Sequence, residues 1–243
     1  MRISNSIAIN NNPASALGGI ENLLSVELDG VDEYVTTDAN YVGLDGATKA
    51  TFSFWLKMDT LASTTNGVFQ CGTVFGMWVR NTGYLRWYMT GTSYYADSTA
   101  SKIVAGQWHH VMICIDLPST DEPAIFVDGV EVSGTDNLST RPAFANSSAK
   151  LLLGYEASAI DEFMKGHFKD FAIWKNTDLR AEIADYYNSG VPTHLVNDHT
   201  TSPTNWWRLG DGGDTITSFS DMMGVNNASG VNLEAEDIVE DSP

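Results

Sequence analysis

Few residues of this 243-residue chain are of a type and spacing that could do chemistry. Hydrolysis of a glycosidic bond with retention needs two carboxylates ~5–5.5 Å apart in one cleft. On a β-strand that means acids at alternate positions, because alternate residues share a face. Glu234-Ala235-Glu236 has this spacing but lies in an acidic stretch with Asp237, Glu240 and Asp241 that reads as a solvated tail. No predicted core strand carries such a pair. His109-His110 is the one adjacent pair among five histidines, and strand neighbours point to opposite faces, so the inward one is expected to be a hydrogen-bonded core residue. The nucleophile elbow Gly-x-Ser-x-Gly, the metalloprotease His-Glu-x-x-His and a phosphate-binding loop are all missing. The residues therefore predict a non-enzymatic protein.

Two binding chemistries remain. The turn Asp29-Gly30-Val31-Asp32 offers oxygens to a hard cation such as Ca2+, which takes about 6–8 of them, although Asp-Gly also forms turns for geometric reasons alone. Trp55, Trp78, Trp87, Trp174, Trp206 and Trp207 either fill a core or form a sugar-stacking platform, and core is the expectation for most. Trp78 and Trp87, in turn-bounded runs near mid-chain, are the candidate glycan-binding residues. Adjacent strand residues cannot both face inward, so one of Trp206 and Trp207 is expected at a surface or interface.

Composition narrows the class further. The chain is 43% hydrophobic and 11% aromatic, too apolar for disorder, and it lacks the run of ~18 apolar residues that a membrane-spanning helix requires. Thirty-one acidic residues stand against 13 basic ones, a net charge of -18, which disfavours nucleic acid and anionic membranes as partners. Met1–Asn5 and Ile7-Ala8-Ile9 fall short of an export signal, whose apolar segment runs ~7–15 residues, so the expectation is either that the mature sequence begins here or that the protein is used without export by that route. Cys71 and Cys114 lie in apolar runs and are expected as buried free thiols.

These residues need elements to position them, and the pattern is β. Leu24–Leu28 and Tyr34–Thr37 flank Asp29-Gly30, a hairpin signal. Phe52, Phe54 and Leu56 share one face of the next run, with Ser53, Trp55 and Lys57 on the other. Further runs at Val68–Cys71, Val74–Arg80, Tyr84–Met89, His110–Asp116, Ala124–Asp128, Leu151–Gly154 and His167–Trp174 are separated by Gly, Asn, Asp and Ser. Many short strands predict a sandwich or barrel, of about 12–14 strands here. One helix of about three turns is expected, capped at Thr177-Asp178 and ended by Asn188-Ser189-Gly190 and Pro192.

Five blocks resemble the laminin-G-like, concanavalin-A-like jelly-roll domains, and they come in family order: Leu28–Val35, Phe52–Lys57, Gly106–Val111, Ile125–Val130 and Lys165–Trp174, with the helix after the last. The resemblance implies an all-β jelly-roll sandwich of two antiparallel sheets over residues 23–190, preceded by an N-terminal arm at 1–22 and followed by an extension at 191–243. It also implies a structural Ca2+ at Asp29 and Asp170, where the first hairpin meets the last core strand. The plain reading makes Asp29 a turn former and Asp170 a hydrogen-bond acceptor. Trp206–Gly212 through Asp237–Val239 looks like the extension of such domains in bacteriophage particles. That likeness implies a structural, decoration or adhesion protein on a virion surface, made in the host cytoplasm. It would self-associate or meet particle proteins through 1–22 and 191–243 and reach host glycans. The alternative is a carbohydrate-binding, lectin-like module acting outside cells, and a glycoside hydrolase comes third.

Overall fold

The structure, a computed structural model, describes residues 23–61, 65–89, 94–99, 101–117, 123–137, 143–145, 147–157 and 162–243; the expected arm at 1–22 lies outside them. The chain runs through β1 (Ser25–Asp29), β2 (Tyr34–Thr37), β3 (Lys49–Met58), β4 (Thr65–Cys71), β5 (Phe75–Arg80) and β6 (Leu85–Met89). It continues with β7 (Tyr95–Ser98), β8 (Trp108–Asp116), β9 (Ala124–Val127), β10 (Val130–Glu131), β11 (Ser133–Asn137) and β12 (Leu151–Leu153). Last come β13 (Tyr155–Glu156), β14 (Glu162–Phe163), β15 (Lys165–Lys175), α1 (Ile183–Tyr187), β16 (Asn205–Trp207), β17 (Ala228–Val231) and β18 (Ile238–Val239).

Two antiparallel sheets form a jelly-roll sandwich. The first has the order β10-β9-β8-β3-β15-β1-β18, with β16 also on β15; the second has the order β11-β7-β6-β5-β4-β12-β2-β17. Alternation sends Phe52, Phe54 and Leu56 of β3 and Val111, Ile113 and Ile115 of β8 against Phe69, Phe75, Met77 and Trp87 of the second sheet. A second apolar layer lies on the outer face of the first sheet. There Met112, Cys114, Trp174 and Trp206 are covered by Leu179, Tyr186 and Leu195. Because β3, β8 and β15 are buried on both faces along much of their length, they read as near-continuous apolar runs.

The helix is shorter than the spacing predicts. A 3-10 turn at Arg180–Glu182 leads into the five residues of α1, and Asn188 and Ser189 then adopt left-handed φ values of 44° and 56°. Both thiols are free and buried. Trp206 and Trp207 correct another expectation: they do face opposite ways, yet each is fully buried, because the first sheet is covered on both sides.

Residues 191–243 are built into the sandwich. β16 pairs with β15, β17 extends the second sheet beside β2, and β18 extends the first beside β1. Asp221 organises this segment. Its Oδ1 accepts the backbone N–H groups of Trp206 and Met223, and its Oδ2 accepts Asn205 Nδ2 and the N–H groups of Val225 and Asn226, all within 3.2 Å. The acidic end is not loose solvated chain either: Asp241 pairs with Lys57 and accepts Trp108 Nε1 at 2.9 Å.

The edge of β15 serves two partners. Residues 165–168 pair with β1 and 171–173 with β16, and on the opposite edge the pairing with β3 shifts register between Lys169 and Ala172, with Asp170 at φ 50°. Lys169 is fully buried there, its ammonium held by Asp211 and the carbonyl of Leu24, while Arg208 reaches Asp211 at 3.2 Å. Removing one member of a buried pair strands the other charge. Lys169→Met is therefore expected to lower stability by about 3–5 kcal/mol, read from the urea midpoint at unchanged slope.

The β1–β2 turn carries a pH dependence. Glu33 accepts the N–H of Asp29 at 2.7 Å, yet burial first, and the nearby Asp237 and Asp29 next, push its carboxyl up to about 7. Between its ordinary value of 4.5 and about 7 the folded chain holds a proton that the unfolded chain has released, so stability falls as pH rises through that window. Urea midpoints measured at pH 5 and 8 should show a drop that Glu33→Gln reduces.

Candidate functional site

The second sheet turns Phe75, Met77, Val79, Leu85, Trp87 and Met89 inward, so the residues between them must face out. Register then assembles rows. Trp78 of β5 lies opposite Arg86 of β6, which lies opposite Asp97 of β7. Beside that row, Gly76 lies opposite Tyr88 and Tyr88 opposite Tyr95. Asp97 grips the Arg86 guanidinium at Nε and at one terminal nitrogen, both at 2.5 Å, and this pairing raises the affinity of Arg86 for its proton. Held this way, Arg86 lies 5.0 Å from the centre of the Trp78 ring and 4.1 Å from that of Tyr95.

Arg80 approaches the same Trp78 ring at 5.1 Å from two residues along β5. It is exposed and, among the described residues, pairs with no carboxylate. Arg86 is thus a fixed wall of the tryptophan, and the exposed Arg80 of β5 lies against the same ring. A cleft of about 320 Å³ continues from this point, lined by Arg80, Tyr84, Asp97, Ser98, Thr99 and Gly134.

Two glycines explain the other half of the face. At Gly76 a Cβ would lie 2.5 Å from the Tyr88 hydroxyl, so only glycine lets that ring lie across the strand. The hydroxyl then donates to Glu156 Oε1 at 2.7 Å. At Gly67 a Cβ would meet the backbone of Glu156 and Glu162 at about 2.5 Å, so glycine admits the β13–β14 hairpin onto β4. On that hairpin Tyr155 and Phe163 stack at 4.1 Å, and Tyr34 packs against both. The result is an outward face of aromatic rings interleaved with fixed hydrogen-bonding groups, an arrangement suited to polyhydroxylated ligands with apolar ring faces.

Of the two tryptophans singled out from sequence, Trp78 stands on this face, half-buried. Trp87 does not: it is fully buried in the core against Tyr94 and Phe144, with no ring face for a ligand. The signal was available, since Trp87 shares the parity of Leu85 and Met89 and Trp78 alternates with Met77 and Val79. Arg86, Tyr88, Tyr95 and Asp97 were missed because β7 is short and their juxtaposition depends on register.

Asp29 and Asp170 are not brought together. Asp29 lies opposite Lys165, and Asp170 is five positions farther along β15, roughly 16 Å at the rise of a strand. Asp29 Oδ1 accepts the N–H groups of Val31 and Asp32 as a turn former. Asp170 accepts Trp206 Nε1 at 3.1 Å beside Arg208, and burial raises its carboxyl to about 6 against the pull of Lys169 and Arg208. Glu234 caps a 3-10 turn, Ala235–Asp237, that contains Glu236. The histidine pair is structural: His109 bridges Asp128 and the N–H of Val104, and His110 meets Ser53 Oγ at 2.8 Å. A larger cleft, about 480 Å³, lies beside α1, but the ring of Tyr186 in it is stacked under His199 at 4.0 Å.

Several solved structures share this fold. A protein from Bacteroides ovatus assigned a carbohydrate-binding role superposes with a TM-score of 0.63 at 16% identity, over 87% of this chain and 58% of that one. The chain therefore spans less than two thirds of that relative. The heptameric SAP-like pentraxin of Limulus polyphemus gives 0.55 at 16% identity, over 86% and 96% of the two chains. The CBM40 module of the Ruminococcus gnavus IT-sialidase, solved with α2,3-sialyllactose, gives 0.52 at 12% identity, over 66% and 96%. At these identities the likeness is one of fold. A search of curated proteins found no match. Residues 29–184, well over half of the sequence, match the family pattern itself, and the chain belongs to the concanavalin A-like lectin/glucanases superfamily.

Proposed function

We propose that this chain is a non-catalytic carbohydrate-binding domain that holds its ligand on the outward face of the second sheet. The observation that carries this reading is the row Trp78–Arg86–Asp97, in which a bidentate ion pair fixes a guanidinium against an accessible tryptophan. A sugar ring offers an apolar C–H face to the indole and hydroxyls to Arg86, Asp97 and Tyr95. The carboxylates of this face orient neighbouring side chains: Asp97 holds Arg86, and Glu156 accepts the hydroxyl of Tyr88. Membership of a lectin-like superfamily supports the reading, and a fold hosts many functions, so the residues on the face carry the argument. The virion-surface role implied by the C-terminal segment gains no support from the comparisons, and carbohydrate binding replaces it as the leading reading.

A glycan array on the full chain tests this. Retention of a defined glycan is expected, with Trp78→Ala weakening it about tenfold or more, equivalent to about 1.4 kcal/mol, at an unchanged melting temperature. A blank array, or equal retention by the folded variant, would overturn the reading.

A further inference from the structure

The outer face of the first sheet carries a second polar constellation, far in the fold from the glycan face. Register aligns Glu27 of β1, His167 of β15, Lys57 of β3 and Trp108 of β8 in one row. Asp59 continues the outward alternation of β3 two residues beyond Lys57, with its N–H bound to the carbonyl of Lys165. Asp241 arrives from the C-terminal side, after β18 has paired with β1, and engages Lys57 and Trp108.

His167 is the unusual member. Its side chain is about nine-tenths buried, and its imidazole makes no hydrogen bond among the described residues; Nδ1 is buried without any partner. Its Nε2 lies 3.6 Å from Asp59 Oδ1 and 3.6 Å from Asp241 Oδ2. That is beyond hydrogen-bond reach. Two donors bound tetrahedrally to one ion at ~2.0–2.2 Å would stand about 3.3–3.6 Å apart. Donor atoms of Glu27, Asp59 and His167 all lie within 4.8 Å of one another.

The geometry points to a binding site for a divalent transition ion of the zinc class, with His167, Glu27 and Asp59 as its three protein ligands. An imidazole donor with few oxygens selects zinc, cobalt or nickel over calcium. Lys57 is the resident cation of this window, its ammonium paired with Asp241. An ion here would tie β1, β15 and the end of β3 at one point. This site does not depend on the carbohydrate reading.

The test is calorimetric titration of the full chain with zinc chloride, beside cobalt and calcium chlorides. One equivalent of zinc should bind with a rise in melting temperature, and cobalt should give the visible absorption of a four-coordinate ion. His167→Gln and Asp59→Asn should each weaken zinc about tenfold or more, and His194→Gln, elsewhere on the surface, should leave the isotherm unchanged. Asp59 is partly exposed, so its variant remains informative should His167→Gln fail to fold. No zinc uptake at about 100 µM, around the usual limit of a specific site, would overturn the assignment. So would uptake unaffected by Asp59→Asn, uptake lost in His194→Gln, or calcium binding in place of zinc.

Discussion

The structure turns on one strand edge with two claimants. β15 is the spine of the first sheet, and along a single edge it pairs first with β1 and then with β16. Between those two pairings the strand bulges: on its other edge the register with β3 shifts between Lys169 and Ala172, and Asp170 takes a left-handed φ of 50°. The bulge exposes backbone polar groups inside the protein, and those must be satisfied. Lys169 answers by reaching the carbonyl of Leu24, and Asp211 answers by accepting the N–H groups of Leu23 and Leu24. A buried network of Lys169, Asp170, Arg208 and Asp211 is the consequence, and its cost is acceptable only because each charge meets an opposite one.

From this fork the C-terminal segment becomes part of the fold. Once β16 is seated, Asp221 gathers five donors and turns the chain so that β17 and β18 close one edge of each sheet. These strands become the edges themselves, and the two residues of β18 make a short edge, which resists pairing with other chains. Leu179, Tyr186 and Leu195 lie over the outer face of the first sheet, so Trp206 is interior there while Trp207 faces the core between the sheets. Function is thereby displaced to what is left open. The first sheet keeps a small polar window around His167, and the second keeps the long outward face of Trp78, Arg86, Tyr88 and Tyr95.

The net charge of -18 gives those windows different characters. Around His167 three carboxylates face one ammonium, a field that draws cations. On the second sheet two arginines flank one tryptophan, so a chain with only 13 basic residues places two of them at the face proposed for glycans. Charge concentrated against the average of a surface marks recognition more clearly than the average does.

Strand identity was legible from the sequence, because alternation and turn residues are local. Phe52, Phe54 and Leu56 faced inward as their spacing required, the runs from Val68 to Met89 were strands, and the five resembling blocks pointed to the family that residues 29–184 match. Parity along β5 and β6 also contained the answer for Trp78 and Trp87, since each follows from its neighbours. What a sequence cannot express is register between strands far apart in the chain. The pairings that set Trp78 beside Arg86 and Asp97, that align Glu27, His167 and Lys57, and that keep Asp29 from Asp170 are fixed only when the whole sheet closes. Burial is likewise a property of both faces at once. A strand residue opposite a core position is exposed only if nothing later in the chain returns to cover it, and in the first sheet residues 179–206 do return.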